Sequence, residues 1–198
     1  MKSPYCFVTT PLNDMRYSVI DPLDKNGFIK SASQEDHRQT NRFAIVKSIP
    51  LNYTGPIKEG NTIVVHHNVF RKYYDIKGKE QSGPCYFKDN LYIVEVDQVY
   101  LYKEDNSWEA PDPYCFLKPL SKIQQDLLSL ETEEKEIGEL IFINNELKRL
   151  GLKKGDIVSF LPDSEYEFII DGEKLYRMRT RNITINLTQW KCMNLNKK

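Results

Sequence analysis

The stretch IKEGNTIVV at residues 57–65 has a close counterpart in LKKGDIVSF at residues 152–160. Each begins with an apolar residue, a lysine and a second charged residue, followed by Gly, then Asn or Asp, and then a β-rich run. Glycine supplies the backbone freedom that a tight turn requires, at Gly60 in the first stretch and at Gly155 in the second. The pattern therefore predicts a turn that leads into a strand, twice in the same chain.

Other segments recur in the same order, which is the mark of an internal repeat. The tetrapeptide PYCF begins at Pro4 and again at Pro113, and it places Cys6 and Cys115 at matching positions. Two further pairs are RFAIVKSI with IGELIFIN, at 42–49 and 137–144, and NLYIVEVDQVYLY with KLYRMRTRNITIN, at 90–102 and 174–186. We infer that one domain is written twice.

The predicted organisation is a first domain over residues 1–102, a linker over 103–112, and a second domain over 113–198 that ends in a short tail. The linker is acidic, contains proline and lacks periodicity. Within each domain, short strands alternate with Gly, Pro, Asn and Asp turns, which favours an all-β class with two small barrels. Helices are predicted only at residues 122–138 and, as a single turn ended by Gly151, at residues 144–151.

Composition and charge argue against several classes of function, among them membrane-spanning and secreted proteins. The chain of 198 residues carries 28 basic and 28 acidic residues, so its charge gives no general argument for nucleic acid or for a membrane surface. No apolar run reaches the length of a membrane span, and the N-terminus does not have the pattern of a signal peptide. The four cysteines form no Cys-x-x-Cys pair, and we interpret them as reduced, mostly buried thiols of a cytosolic chain.

Four motifs of the second copy resemble the GroES co-chaperonin family. FLKPLSK at 116–122 is similar to the opening strand of that family, and GELIFI at 138–143 is similar to the strand that follows its long loop. LKKGDIVSF at 152–160 and IDGEKLYRMRTRNITI at 170–185 are the other two, and the specific part of the resemblance is LKKGDIV at 152–158 and DGEKLY at 171–176. The resemblance covers residues 114–187, and residues 5–102 more loosely.

This resemblance implies a GroES-like β-barrel in each copy and a protein that is not an enzyme, with no catalytic residues, metal or cofactor. Its partner would be a GroEL-type chaperonin in the ATP-bound state, which a self-associated ring of this protein would cap to enclose a folding chamber. The tandem arrangement also resembles the double co-chaperonins of plastids. An embellished duplicate would be natural in a bacteriophage, acting in the host cytoplasm.

The contact with the chaperonin in that family is an apolar tip on a long mobile loop. Residues 20–41 are expected to form this loop in the first copy, with Gly27, Phe28 and Ile29 at the tip. The alternative is that Phe28 and Ile29 anchor a surface loop to the barrel. In the second copy a further candidate contact consists of three apolar residues, for which a helix packed on the barrel is the favoured interpretation: Leu127, Leu128 and Leu130.

The first copy departs from the family pattern. It has TTPLND in place of a basic residue before Pro-Leu, and a roof-like insert at 66–86 where the family has a shorter segment. Within the insert, residues 69–79 interleave basic and aromatic side chains, which fits stacking on single-stranded nucleic acid, an extended hairpin or a ring contact. The neutral balance of the whole chain argues against nucleic acid.

A rival hypothesis comes from a different class. The barrel would be reused as a structural or assembly protein, such as a virion or scaffold component, without a chaperonin partner. The loss of the loop signature in the second copy supports this rival, whereas the polar, glycine-bearing loop of the first copy supports a co-chaperonin.

Metal and catalytic chemistry are not favoured. His66 and His67 are adjacent and would point to opposite faces of a strand, which is poor geometry for two ligands of one metal. The chain has no Gly-x-Gly-x-x-Gly or P-loop pattern, and its three histidines leave little room for acid–base chemistry.

Overall fold

Among the described residues, regular secondary structure is almost entirely antiparallel β-sheet, which confirms the predicted all-β class. The structure, a computed structural model, describes residues 2–17, 40–122 and 132–188. The chain divides into two units, unit 1 at Met1–Trp108 and unit 2 at Glu109–Lys198. No helix in the described ranges is both long enough and apolar enough to cross a membrane.

Unit 1 is built on a seven-stranded sheet with the order β6-β7-β1-β2-β3-β8-β9, and β4 and β5 form a separate two-stranded hairpin. One cluster of its buried side chains includes Phe7, Val46, Ile63 and Tyr92. The strands are β1 (Cys6–Pro11), β2 (Phe43–Ser48), β3 (Thr62–Val65), β4 (Lys72–Tyr74), β5 (Glu80–Ser82), β6 (Tyr86–Lys88), β7 (Leu91–Glu95), β8 (Val99–Glu104) and β9 (Ser107–Glu109).

Unit 2 is built on a six-stranded sheet with the order β13-β14-β10-β11-β12-β15. Its core includes Cys115, Leu117, Leu140, Val158 and Met178. The elements are β10 (Tyr114–Lys122), β11 (Thr132–Phe142), the short helix α1 (Asn145–Arg149), β12 (Ile157–Phe160), β13 (Tyr166–Ile170), β14 (Glu173–Arg179) and β15 (Ile183–Asn186).

Six strands of the two sheets occur in the same order. The order β6, β7, β1, β2, β3, β8 in unit 1 matches β13, β14, β10, β11, β12, β15 in unit 2. Within the described residues, the edge strands of each sheet are not hydrogen-bonded to one another, so neither sheet closes into the complete barrel that the sequence predicts.

The register of the pairs also matches. The β1–β2 pair shifts register between Val8 and Thr9, and the β10–β11 pair shifts between Phe116 and Leu117. A second shift occurs in both units where the third strand of the repeat pairs with the last one. Register shifts of this kind mark β-bulges. A bulge bends and twists its strand locally, and it is a designed feature of a fold, not a defect. Their shared positions support the inference that one domain is written twice.

The PYCF repeat, in contrast, lies one residue out of this register. Val94 and Met178 are equivalent, since each comes two residues before a 3₁₀ turn, yet Val94 pairs with Phe7 while Met178 pairs with Cys115. Cys6 therefore corresponds to Tyr114. The prediction that the two cysteines occupy matching positions is wrong, because a shift of one residue moves a strand side chain to the opposite face.

The two predicted glycine turns are confirmed and are built alike. Gly60 and Gly155 both have positive φ, at +89° and +87°. The Gly60 N–H donates to the Val46 carbonyl at 2.8 Å, and the Gly155 N–H donates to the Leu140 carbonyl at 2.8 Å.

The residue after each glycine closes the turn with its side chain. Asn61 Oδ1 accepts a hydrogen bond from the Lys58 N–H at 2.7 Å, and Asp156 Oδ2 accepts one from the Lys153 N–H at 2.9 Å. Asn and Asp share this geometry because both carry an acceptor oxygen at the same distance from the backbone. The Asn-or-Asp position of the sequence pattern therefore has a defined structural role.

The single helical turn predicted at residues 144–151 is confirmed as α1. The buried Asn144 caps it, because its Oδ1 accepts from the Leu147 N–H at 2.9 Å, and Gly151 follows it with φ +85°. The Asn144 amide also donates to Thr180 Oγ1 at 2.7 Å, and Thr180 Oγ1 donates to the Pro113 carbonyl at 3.0 Å. This network satisfies polar groups that would otherwise be costly to bury.

The helix predicted at residues 122–138 is wrong wherever the structure describes it. Lys122 ends β10, and residues 132–138 belong to β11, which pairs with both β10 and β12. The Glu- and Lys-rich sequence favours a helix locally, but the backbone hydrogen bonds of two neighbouring strands override that preference.

Part of the predicted linker at 103–112 is a β-hairpin. Strand β8 continues to Glu104, and β9 follows after Asp105 and Asn106, which have positive φ values of +46° and +65°. Two successive left-handed residues are the signature of a type I′ turn. Trp108 of β9 is buried and lies 6.0 Å from the ring of Phe43, so the segment completes the sheet of unit 1.

Candidate functional site

The predicted chaperonin contacts fall on equivalent connections of the two units. Gly27, Phe28 and Ile29 lie between β1 and β2, and Leu127, Leu128 and Leu130 lie between β10 and β11. Both sets are outside the described residues. The structure does describe the residues at which each connection starts and ends, called here its base. The two bases are held together by different contacts.

The base of the first connection is held by a short antiparallel bridge between Tyr17 and Thr40. Asn41 strengthens it, because its backbone N–H donates to the Arg16 carbonyl at 2.9 Å and its side-chain amide donates to the Met15 carbonyl at 2.7 Å. The two ends of the connection are therefore brought together before residues 18–39 begin.

Arg16 ties this base to the 66–86 insert. Its guanidinium donates to the Phe70 carbonyl at 3.0 Å and to Ser82 Oγ at 3.1 Å. The same group lies 5.8 Å from the ring of Tyr86 and 5.4 Å from the ring of Tyr92, within cation–π range. Burial raises the pKa of Tyr92, and the nearby Arg16 charge acts in the opposite direction.

Tyr17 provides a second tie, because its hydroxyl accepts a hydrogen bond from the Lys72 N–H at 2.7 Å. Arg16 and Tyr17 were not among the candidate site residues suggested by the sequence. Their partners lie 54 to 66 positions away along the chain, so no local pattern could identify the contacts.

The insert carries a hairpin, formed by β4 and β5 and called here the insert hairpin. Its turn is closed by Asp75, whose Oδ1 accepts from the Lys77 and Lys79 N–H groups, both at 2.9 Å. The hydrogen bond from Lys79 is the main cause of the lowered pKa of the Asp75 carboxyl. Gly78 follows in a left-handed conformation with φ +73°, which is typical of a three-residue hairpin loop with a bulge.

The insert hairpin exposes apolar and basic side chains together. Ile76 at its apex is fully exposed, and Tyr73, Tyr74 and the neighbouring Phe87 are about half exposed. The sequence from 71 to 88 contains five basic residues and two acidic ones, in a chain that is neutral as a whole. This segment therefore has the character of an interaction surface.

The base of the second connection has a different form. β10 and β11 continue as a paired ribbon through Ser121↔Glu133 to Lys122↔Thr132. Further down the ribbon, Pro119 faces Gly138, where an added Cβ would lie 3.0 Å from the Lys118 carbonyl. This connection therefore begins from a paired ribbon, whereas the first is tied by side chains to an insert.

The adjacent histidines are not placed as the sequence predicted. His66 and His67 follow β3, and their rings stack at 4.2 Å instead of pointing to opposite faces of a strand. His66 Nδ1 accepts a hydrogen bond from the Asn68 N–H at 3.1 Å. Across the described ranges, no three His, Cys, Asp or Glu side chains are grouped closely enough to hold a metal ion.

The cysteines that the structure describes are free thiols: Cys6, Cys85 and Cys115. Burial raises the pKa of Cys115 to about 12. A thiol that stays protonated is a poor nucleophile and a poor metal ligand. Cys115 is therefore a core residue.

No protein-family model matches the chain, and no curated protein matches it.

Proposed function

We propose that this protein is a co-chaperonin that caps a GroEL-type chaperonin ring in its ATP-bound state and assists protein folding without being an enzyme itself. The observation that carries the proposal is that both candidate contact segments join equivalent strands of a repeated β-unit. The sequence resemblance of residues 114–187 to GroES co-chaperonins supplies the identity of the partner.

The first connection is the better candidate for the contact. Its tip residues would be Gly27, Phe28 and Ile29, in which a glycine precedes two apolar side chains. Such a tip suits a hydrophobic groove on the partner, because burial of apolar area supplies the binding free energy. The cost of ordering a segment on binding keeps each contact weak enough to release, and several contacts on one ring add up.

The anchoring by Arg16 and Tyr17 has a consequence for this contact. It fixes the positions of Tyr17 and Thr40, because these two residues pair with each other and because Arg16 and Tyr17 are hydrogen-bonded to the insert. A fixed origin limits the volume that the tip must search and so raises its effective concentration at the partner.

The test is nucleotide-dependent co-sedimentation with the cognate GroEL-type chaperonin. The native chain is compared with Phe28→Ser/Ile29→Ser and with Leu127→Ser/Leu128→Ser/Leu130→Ser. A matched control is Leu51→Ser/Val96→Ser, which removes two exposed apolar side chains elsewhere in unit 1. We expect ATP-dependent binding that the Phe28/Ile29 change weakens by about 100-fold and the control leaves intact.

Two other outcomes are informative. Binding that survives the Phe28/Ile29 change but is lost with the Leu127, Leu128 and Leu130 change would move the contact to the second connection. Absence of binding in every nucleotide state would overturn the proposal and leave a structural or assembly role for the repeated unit.

A further inference from the structure

The insert hairpin is a preorganised projection. Its apex is fixed by the two hydrogen bonds that Asp75 accepts, and its base is fixed by the bonds from Arg16 to Ser82 and from Lys72 to Tyr17. A projection that is already ordered pays little conformational entropy when it docks.

The apex displays a particular chemistry. Ile76 is fully exposed in the turn between β4 and β5, and Lys77 and Lys79 follow it in the same turn. Lys72 is paired with Glu80, and the Asp75 carboxylate is occupied by backbone N–H groups. Among the described residues no carboxylate forms an ion pair with Lys77 or Lys79, so the apex is an apolar knob with a positive rim.

Unit 2 contains a cleft of complementary character, called here the acidic cleft. It has a volume of about 310 Å³, with Phe160, Pro162 and Tyr176 as its apolar lining. It is also lined by three carboxylates and one ammonium group, called here its rim: Glu136, Asp163, Glu165 and Lys135. No described basic side chain forms an ion pair with any of the three carboxylates.

Two of these residues have a left-handed backbone conformation. Glu136 and Asp163 both have positive φ, at +60° and +56°. Asp163 belongs to a turn in which Ser164 Oγ donates to the Leu161 carbonyl at 2.6 Å. The three carboxylates therefore come from β11 and from the connection between β12 and β13.

We propose that the insert hairpin of one copy docks into the acidic cleft of a second copy of this chain. Ile76 would lie against Phe160 and Tyr176, and Lys77 and Lys79 would face the carboxylate rim. The match is one of sign and polarity, since an apolar knob with a positive rim meets a cleft that combines apolar side chains with a net negative rim. A cleft of this volume is at the lower end of the range that accepts small groups, which suits one aliphatic side chain with its flanking backbone.

The contact is heterologous, because the hairpin belongs to unit 1 and the cleft to unit 2. Head-to-tail contacts of this kind produce rings when the rotation closes and filaments when it does not. In such a ring, each copy contributes its insert hairpin to one neighbour and its acidic cleft to the other. The inference does not depend on a chaperonin, so a negative co-sedimentation result would leave it standing.

Two charge-reversed chains provide the test. One carries Lys77→Glu/Lys79→Glu, and the other carries Asp163→Lys/Glu165→Lys. By sedimentation velocity, we expect the native chain to self-associate and each reversed chain alone to associate about 100-fold more weakly, because like charges then meet. Equal mixing of the two reversed chains should restore association, because each negative hairpin finds a positive cleft on the other chain.

Further variants separate docking from other effects. Ile76→Ser keeps every charge and should weaken self-association about tenfold, through the lost apolar contact. Lys2→Glu/Lys47→Glu reverses two exposed charges outside the hairpin and should leave association unchanged. Thermal unfolding of each variant checks that the chain remains folded.

Several results would overturn the proposal. A native chain that stays monomeric at high concentration would do so, as would a mixture of reversed chains that fails to associate. Binding of a single-stranded oligonucleotide that Lys77→Glu/Lys79→Glu abolishes, with no association in the mixture, would assign the hairpin to nucleic acid. Capture of an acidic protein in place of a second copy would reassign the partner in the same way.

Discussion

Units 1 and 2 share the order of six strands, two register shifts and the glycine turns, yet they bury the outer face of the sheet differently. Leu101 of β8 is 0% exposed, whereas the equivalent Ile185 of β15 is 58% exposed. In unit 1, β9 lies beside β8 and completes the sheet, while no described strand flanks β15. The comparison shows that equivalent positions of the repeated sheet differ in burial between the two units.

The bases of the two connections also differ between the units. The first is tied to the insert hairpin through Arg16 and Tyr17, and the second is a paired ribbon of β10 and β11. One chain topology therefore supports two different attachments for the segments that we propose as chaperonin contacts. The copies therefore differ where these connections leave the sheet, as expected for functional loops.

The largest expected effect concerns the two PYCF cysteines. In the native chain at pH 8, Cys115 should react with iodoacetamide at least about 1,000-fold more slowly than Cys6, because a thiol with a pKa of about 12 is about 10⁻⁴ ionised. Cys6 is partly exposed, whereas Cys115 is buried. Mass spectrometry of the modified chain measures both rates, and the denatured chain, in which all the thiols should react, is the control.

The raised pKa of Cys115 also predicts that the stability of the folded chain depends on pH. The folded pKa of Cys115 is raised above the reference value of 9.0, so its contribution to stability is complete below pH 9.0 and is lost as the pH rises towards 12. The reason is that the thiol of the unfolded chain ionises at a lower pH than the thiol of the folded chain.

In the alkylation experiment, similar rates for Cys6 and Cys115 would contradict the one-residue offset between the PYCF segments.

The next largest effect compares two equivalent positions. Leu101→Ala should lower the free energy of unfolding by about 3 kcal/mol, because it leaves a cavity in a buried strand. Ile185→Ala should lower it by less than about 1 kcal/mol, because that side chain is largely exposed already. Urea unfolding followed by circular dichroism measures the free energy of unfolding of both variants. Equal losses of stability would contradict the difference in burial between the two outer faces.

The smallest effect tests what the units share. Gly60→Ala and Gly155→Ala should each cost about 1 kcal/mol, because both glycines have positive φ and an added Cβ meets no close neighbour. The two losses should agree within about 0.5 kcal/mol. Asn tolerates this conformation better, so Gly60→Asn and Gly155→Asn should cost less and serve as controls. Unequal losses in the alanine pair would show that the turns are not equivalent.

Local sequence predicted several elements well. The Gly-Asn and Gly-Asp turns need only a few neighbouring residues, and so does the helical turn that Asn144 caps and Gly151 ends. The segment at 132–138 was mistaken for helix because its hydrogen-bond partners lie on β10 and β12, which no local window contains. The ties from Arg16 to Phe70 and Ser82 were missed for the same reason.

The sequence by itself determined the all-β class, the order of the repeated segments and the positions of the glycine turns. These depend on short-range preferences, namely strand propensity and the backbone freedom of glycine. Only the tertiary structure decided that PYCF is offset by one residue, that the loop base is tied to the insert, and that an acidic cleft forms in unit 2. Each of these depends on which strands pair and in which register, and pairing is a long-range choice made by burial and hydrogen bonding together.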